Sequence, residues 1–432
     1  MKRRWFVPAL AGVLYFSEGL PFGIVKEFVP MYLRFRHVDL TNIGLLNIVG
    51  FAWTLKFLWS PLVDSFGAYR RWISAALIGI AIALFGMASA IPGPLFYGCV
   101  ALLALASATQ DIAVDAFTIR ATPHDLLGPV NSVRVTAYRI ALTSPGILAA
   151  LAQRAGWGAA YSTAAGIALL ILLFSFVMPD DRGGTPLTRR FAAPSPGGRG
   201  DMDVDVGSST PSPGGRGWPE GPGEGRATAT TFIAAFKRWL TRPSAGLLLA
   251  IAFTYRLGEF AVVSMIKPYW VDRGYSPAEI GTITSIIGVI VSIAGAIAGG
   301  AIVARIGIWR SLLWLGFAQM LSNLGYALVA TFHAGRWSIY AAAITENIGY
   351  GLGTAAFLAF LMSICDRERA ATEYALLSAA YGFTGTIIAS ASGYIAKHAG
   401  YPAYFWLTVL LGIPALLLLP TIRGYETQDL HA

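Results

Sequence analysis

Long apolar stretches alternate along the chain with short clusters of charged, Gly and Pro residues, and the stretches have the length of membrane-crossing helices. A bilayer core about 30 Å thick takes about 20 apolar residues at about 1.5 Å rise each. The pattern predicts twelve spans, over 5–33, 42–60, 72–91, 94–119, 128–152, 157–178, 245–271, 280–304, 309–331, 337–364, 370–396 and 401–421. The start, Lys2-Arg3-Arg4 and an apolar run, has the charge pattern of a signal peptide. No small-residue cleavage site closes it, and it stays apolar past Gly19-Leu20-Pro21 toward Tyr32, so it is read as a retained first span. Two groups of six spans flank 179–243, a segment rich in Pro, Gly, Ser and Arg in which Pro-Ser-Pro-Gly-Gly-Arg-Gly occurs twice, from Pro194 and from Pro211. Such a composition cannot bury enough apolar area to offset its ordering entropy, and a tether reaching about 45 Å is expected. Only Phe232 to Trp239, amphipathic and basic, reads as a surface helix. The expected organisation is 1–178 as the first six-helix half, 179–243 as a disordered cytoplasmic linker, 244–423 as the second half and 424–432 as a cytoplasmic tail.

Composition agrees: 432 residues are 55% hydrophobic and only 13% charged, where soluble domains carry about a quarter charged residues. An ordinary soluble enzyme is thereby excluded. The net charge of +9 changes the picture only once it is sorted by side. With the N-terminus inside, twenty Lys and Arg fall on the inner face, nine of them in the linker, against six outside (Arg34, Arg36, Arg154, Arg273, Arg336 and Lys397). That is the positive-inside distribution, so both termini are expected in the cytoplasm and no nucleic-acid surface is implied. Cys99 and Cys365 lie in apolar runs and the five His are scattered, so no metal site and no cofactor are signalled.

The halves repeat. Val63, Gly67 and Arg70 recur as Val303, Gly307 and Arg310 at an offset of 240, and Glu18 and Lys26 as Glu259 and Lys267 at 241. Parallel repeats of six helices are those of the major facilitator fold, and the fold class expected is an all-α, twelve-helix membrane protein of that kind. Six cations (Lys26, Lys56, Arg134, Arg139, Arg256, Lys267) and six acids (Glu18, Glu27, Asp111, Asp115, Glu259, Glu346) remain inside the spans. Charges at mid-bilayer cost at least a few kcal/mol, so they must face a wet cavity or one another. They sit on spans 1, 2, 4, 5, 7 and 10, leaving the third and sixth of each half free to face lipid.

Depth suggests partners: Asp115 with Arg134, and Asp111 with Arg139 about one turn deeper. Asp111 and Asp115, four apart on one helix face, suit a proton-dependent role, and Asp111→Asn is expected to abolish coupling. A static network tying spans 4 and 5 together is the other reading. Lys56 could contact substrate or snorkel to the interface, and Lys26 and Glu27 could simply reach headgroups. Tyr15, Trp53, Tyr255, Trp270 and Tyr350 offer stacking faces for a sugar, or packing. In the loop after span 2, Asp64, Gly67, Arg70 and Arg71 follow the facilitator gating pattern of an acid, a glycine turn and basic residues, with Ser65 where that pattern has Arg or Lys.

Ile-Gly-Leu-Leu-Asn-Ile-Val-Gly at 43–50, Thr-Leu-Lys56-Phe-Leu-Trp-Ser-Pro-Leu-Val-Asp64, Ala-Thr-Gln110-Asp111-Ile-Ala-Val-Asp115-Ala, Tyr-Arg-Leu-Gly258-Glu259 and Glu346-Asn347-Ile-Gly-Tyr-Gly351-Leu-Gly353 resemble the AmpG muropeptide permease family, which also includes acetyl-coenzyme A transporters. The resemblance covers both halves and leaves out the linker. Glu259 stands where many members have Asp. It implies an inner-membrane, proton-driven permease importing anhydro-muropeptides for cell-wall recycling, with Lys56, Gln110, Asp111, Asp115, Glu259, Glu346 and Asn347 as positions to test. Protons, an anionic small molecule and the bilayer are its expected partners, and a monomer its expected state. Arg139, Arg256 or Lys267 could bind the anionic parts. Another small anion or acetyl-coenzyme A remains an alternative substrate. A polytopic transferase is a remote one, because every loop but the linker is short.

Overall fold

The computed structural model describes residues 6–60, 62–63, 69–122, 126–176, 178, 241, 245–364 and 370–422, and these are helical with no strand among them. The expected linker other than 241, the Phe232 to Trp239 helix, the tail, Asp64 and Gly67 lie outside the described residues. Ten helices among the described residues are long and apolar enough to cross a membrane. In the first half these are α1 (Phe6–Phe35), α2 (Leu40–Leu58), α3 (Tyr69–Ser89), α4 (Pro94–Ala121), α5 and α6 (Trp157–Ser175). In the second they include α7, α8 (Pro277–Ile306) and α9 (Ile308–Thr331). α10 (Arg336–Ser363) adds 28 residues. Ala370–Leu410 contains a non-helical Gly400 at φ 77°, which separates α11 (370–399) from α12 (401–410). Glycine is needed there because a side chain disfavours the left-handed backbone.

Two interruptions were not legible as span ends. α5 consists of Leu127–Ala141 and Ser144–Ala155, and Pro145 accounts for the break, since it has no N–H to give the carbonyl one turn back. α7 consists of Ala245–Thr254 and Leu257–Asp272, with Arg256 leaving helical geometry at φ −113°. α1 and α8 each contain a π-helical segment, Ile24–Phe28 and Gly281–Ile287. Such segments concentrate at functional sites because they rotate the following side chains out of register.

The third and sixth helices of each half carry exposed apolar side chains, Ile78, Ile82 and Phe85 on α3, Leu170 and Leu173 on α6, Trp314 and Phe317 on α9, Trp406 and Leu410 on α12, and other helices such as α4, α5 and α8 expose some as well. These are lipid-facing positions, as the charge sorting requires. α1 is instead buried along most of its length. Gly19 and Gly23 bring its backbone against Tyr138, Ala141 and Pro145 of α5.

The principal packing between the halves, among the described residues, lies at the end of the bundle remote from Phe6. There α2 crosses α11 at Gly44 and Gly393, and α5 crosses α8 at Gly146 and Gly281. A Cβ on Gly44 would stand 2.6 Å from the Gly393 nitrogen, and one on Gly146 2.5 Å from the Gly281 carbonyl oxygen. Neither backbone can yield locally. Gly44→Val together with Gly146→Val is therefore expected to hold this end apart. Spin labels on cysteines replacing Arg36 and His398 should report a longer distance in that variant, and an unchanged distance would contradict it.

Candidate functional site

The first charge cluster is built on α4. Asp111 and Asp115 lie four residues apart and so share a face. From α2, Lys56 Nζ approaches Asp111 Oδ2 at 3.6 Å and Asp115 Oδ2 at 4.0 Å. From α5, Arg134 Nη2 reaches Asp115 Oδ1 at 3.1 Å, and its guanidinium covers the Tyr15 ring at 4.4 Å. Tyr15 in turn donates its hydroxyl proton to Asp115. Gln110, fully buried, donates to Ser17 Oγ at 2.5 Å, which ties α4 to α1. One turn along α1 from Tyr15, next to Ser17, lies Glu18, 5% exposed, whose Oε1 has no partner among the described residues. The charges surrounding it are Asp111, Asp115, Lys56 and Arg134.

The second cluster forms around the break in α7. Arg256, 2% exposed, donates to Glu259 and to Thr354 Oγ1 at 2.9 Å, and lies over the Tyr350 ring at 4.9 Å. Glu346 on α10 is 4% exposed and accepts from Asn347 Nδ2 at 3.0 Å. Lys267 Nζ approaches Glu27 Oε2 of α1 at 3.3 Å and donates to Thr284. Ser285 Oγ donates to the same Glu27 oxygen at 2.6 Å. Glu27 and Ser285 belong to the two π-helical segments, which turn them toward each other across the halves.

The two clusters have the same composition. In the first, Glu18, Asp111 and Asp115 face Lys56 and Arg134; in the second, Glu27, Glu259 and Glu346 face Arg256 and Lys267. Each has one carboxyl more than it has cations. Glu18 and Glu346 are the ones without an ion pair among the described residues. The remaining intramembrane cations, Lys26 and Arg139, have no acidic partner among the described residues.

Several expectations change accordingly. Arg134 is paired with Asp115 as depth suggested, but the cation on Asp111 is Lys56 and not Arg139, because α2 and not α5 is the helix beside that carboxylate. Lys56 therefore turns inward to the acids and does not snorkel. Glu27 does not reach headgroups, since Lys267 and Ser285 engage it. Lys26 is also held inside: its Nζ is 2.8 Å from the point a Gly50 Cβ would occupy. Of the five aromatics, Trp270 and Tyr255 are packing residues. Trp270 is fully buried with Nε1 donating to Tyr326 at 3.2 Å, and Tyr255 stacks on Phe357 at 5.4 Å. Arg70 donates to the carbonyls of Phe176 at 2.9 Å and Met178 at 3.2 Å, closing the end of α6, while Arg71 is exposed.

Sorting charges alone passed over Gln319, Ser322 and Asn323 on α9, all buried. Their i, i+3, i+4 spacing on an otherwise apolar helix is a legible signal of an inward polar face. Gln319 and Ser322 pack against Gly353 and Gly349 of α10, and Gln319 leaves both its amide atoms without partners.

At the closed end, Arg34 clamps Asp272 with Nε at 2.5 Å and Nη2 at 2.7 Å, and Tyr401 donates to the same carboxylate at 2.7 Å. Asp39, in the loop after α1, accepts from Lys397 at 2.7 Å. The hydrogen bond from Lys397 holds the Asp39 carboxyl below its ordinary range. Its contribution to closure is thus full at neutral pH and disappears only as pH falls through that lowered value. Between about pH 5 and 8 it does not titrate, so Asp39→Asn should leave the shape of a transport pH profile unchanged over that interval. A shifted midpoint would refute this.

Residues 11–375 match the family model of the Major Facilitator Superfamily. The chain is 27% identical over 426 residues to the anhydromuropeptide permease of Escherichia coli K12, covering 96% of this chain and 79% of that protein. It is 24% identical over 421 residues to a putative transporter, AmpG 4, of Rickettsia conorii, covering 94% of both. A solved bacterial homologue of the human lysosomal transporter Spinster, inward-facing and occupied, superposes with a TM-score of 0.74 at 12% identity, covering 98% of this chain and 97% of that one. The last likeness speaks to the fold alone. The expected family and fold are borne out, and a transporter replaces any enzymatic reading. The chain belongs to the Major Facilitator Superfamily as a member of AmpG type, a multi-pass membrane transporter of a small molecule.

Proposed function

We propose that the protein imports anhydro-muropeptides by alternating access, driven by protons, as a monomer in the inner membrane with both termini and the 179–243 linker in the cytoplasm. In that orientation the glycine crossings and the Arg34–Asp272 clamp close the outer end, and the conformation is inward-facing. One observation carries the coupling: each charge cluster holds one carboxyl beyond its cations, and that carboxyl is Glu18 in one half and Glu346 in the other. An ionised group buried without a partner is costly, so a proton is the counter-charge each site accepts. Binding and release of that proton changes the net charge of a cluster, within the first half at Glu18 and, through Glu27, across the halves at Glu346, which is what links it to their rearrangement.

The muropeptide assignment is supported by similarity to the Escherichia coli permease and by chemistry. Muropeptides carry several carboxylates and a sugar, and the interior offers two cations, Lys26 and Arg139, without acidic partners among the described residues, and the exposed Tyr350 ring. Right-side-out vesicles given labelled anhydro-muropeptide, acetyl-coenzyme A or a dipeptide, with and without an imposed pH gradient, test the reading. Accumulation of the first, dependent on an acidic exterior, is expected. Gradient-dependent accumulation of acetyl-coenzyme A alone would move the substrate assignment to the related transporters, and gradient-independent accumulation would remove the proton.

A further inference from the structure

The second charge cluster does not belong to one half. Glu259, Glu346, Arg256 and Lys267 stand on α7 and α10, whereas Glu27 comes across from α1. Arg256 is committed to Glu259. Among the described cations of the cluster, that leaves Lys267 for two acids, Glu27 of the opposite half and Glu346 of its own.

In this conformation Glu27 holds it. Lys267 Nζ is 3.3 Å from Glu27 Oε2 and 3.4 Å from Ser285 Oγ, and it donates to Thr284. Ser285 completes the contact by donating to the same Glu27 oxygen at 2.6 Å. Glu346 sits one turn further along α8. A Cβ on Gly288 would stand 2.9 Å from Asn347 Oδ1, and Asn347 Nδ2 donates to Glu346 Oε2 at 3.0 Å. From Ser285 to Gly288 is about 4–5 Å along the helix, which the flexible four-carbon stem of a lysine covers by rotation. Charges on the helices packed around Glu346 are few. α7 brings Lys267 and the Arg256–Glu259 pair. α8 has no charged residue between Glu279 and Arg305 and α9 none beyond Arg310, while the Tyr326 hydroxyl of α9 accepts from Trp270. α11 meets α10 further inward, where Tyr381 lies against Phe357.

As the halves rock, Glu27 moves with the first, and Lys267 and Glu346 move together with the second. We infer that Lys267 is a latch exchanged between two carboxyls: it holds Glu27 while the outer end is closed and Glu346 once the outer end has opened. With Glu27 withdrawn, the second half sets Glu259 and Glu346 against Arg256 and Lys267, and acids match cations without a proton. With Glu27 in place, Glu346 gives up the ammonium and takes a proton instead. Lys267 stays charged throughout. Protonation of Glu346 therefore frees Lys267 to capture Glu27, and the outer end closes as a consequence. This rests on the proton-driven reading and deepens it, by naming the group that ties the second-half proton to the outer gate.

The test follows the outer end directly. The full chain, with Cys99 and Cys365 replaced by Ser, carries spin labels on cysteines replacing Arg36 and His398 and is held in nanodiscs at pH 8 without substrate. Glu27→Gln removes one partner of the latch and is expected to raise the ratio of long to short distances about tenfold or more, as loss of a charged hydrogen bond does. Glu346→Gln removes the competing partner and should lower that ratio, so equally conservative changes to two acids of one cation act with opposite sign. A purely static bridge between Lys267 and Glu27 gives the first effect without the second. The closed state holds one proton more than the open one, so acidification from pH 8 to pH 6 should raise the closed fraction, and Glu346→Gln should remove that rise. His37 and His333 of the outer loops are present in every variant, so the difference between variants is what is read. Unchanged melting would show that the variants fold. No lengthening in Glu27→Gln, or the same pH response in Glu346→Gln as in the unmodified protein, would overturn the latch. Gradient-dependent accumulation of muropeptide in vesicles with neither shift would remove the latch and leave the proton-driven reading standing. Both shifts without gradient-dependent accumulation would do the reverse.

Discussion

Glu18→Gln is expected to abolish accumulation driven by a pH gradient while exchange of internal for external substrate continues. The first cluster then contains Asp111 and Asp115 against Lys56 and Arg134, with Lys56 at 3.6 Å from Asp111 and Arg134 at 3.1 Å from Asp115. Acids and cations match, and no site for a proton is left in this cluster; the site at Glu346 remains, but it lies in the other half and does not restore the charge change here. Alternating access does not require the proton when substrate is present on both sides, so exchange survives. Asp111→Asn should give the same phenotype by the same matching, with Glu18 becoming the second carboxylate. Lys56→Met adds an uncompensated charge and should instead impair both modes. Counterflow and gradient-driven uptake, measured side by side in reconstituted vesicles, distinguish these outcomes. Gradient-driven accumulation by Glu18→Gln at the level of the unmodified protein would refute the role of the excess carboxyl.

Arg256→Met is expected to produce the largest loss of stability. Arg256 is the sole cation on Glu259 among the described residues, and both are nearly inaccessible at the break in α7. Removing one partner of a buried pair strands the other charge, at about 3–5 kcal/mol, a large fraction of the 5–15 kcal/mol or so that holds a typical protein folded. The variant should melt at markedly lower temperature in detergent and accumulate poorly in the membrane. Arg256→Met combined with Glu259→Leu should recover most of the loss, since two apolar residues can replace a buried pair at little cost. Recovery separates stranded charge from lost packing over Tyr350 and the hydrogen bond to Thr354. A double variant as unstable as the single one would show that packing dominates.

The spans, the repeat and the lipid-facing third and sixth helices were legible because membrane burial writes itself as apolar length and charge exclusion. Arg134 with Asp115 was legible as well, since depth along a helix is simple arithmetic. Lateral placement is not encoded in depth, and so Arg139 stood in for Lys56 as the partner of Asp111. Glu27 was lost for a different reason: its α-helical register points it toward the outer end, and a π turn that no local residue announces redirects it to Lys267 and Ser285. Gln319 and Asn323 were present as a periodic polar face, overlooked beside the formal charges. The gating loop at Asp64 and Gly67 lies outside the described residues, and its closed counterpart at the other end rests on glycine crossings that only a packed structure reveals.

The most direct measurement is the proton itself. Reconstituted vesicles with a trapped pH dye and no imposed gradient receive anhydro-muropeptide from outside, and lumenal pH is followed with uptake. Substrate entry is expected to acidify the lumen in the unmodified protein. In Glu18→Gln, vesicles preloaded with unlabelled substrate are expected to exchange it with no acidification. Substrate entry without acidification in the unmodified protein, or equal acidification in Glu18→Gln, would contradict the assignment of the buried, unpaired carboxyl as the proton site.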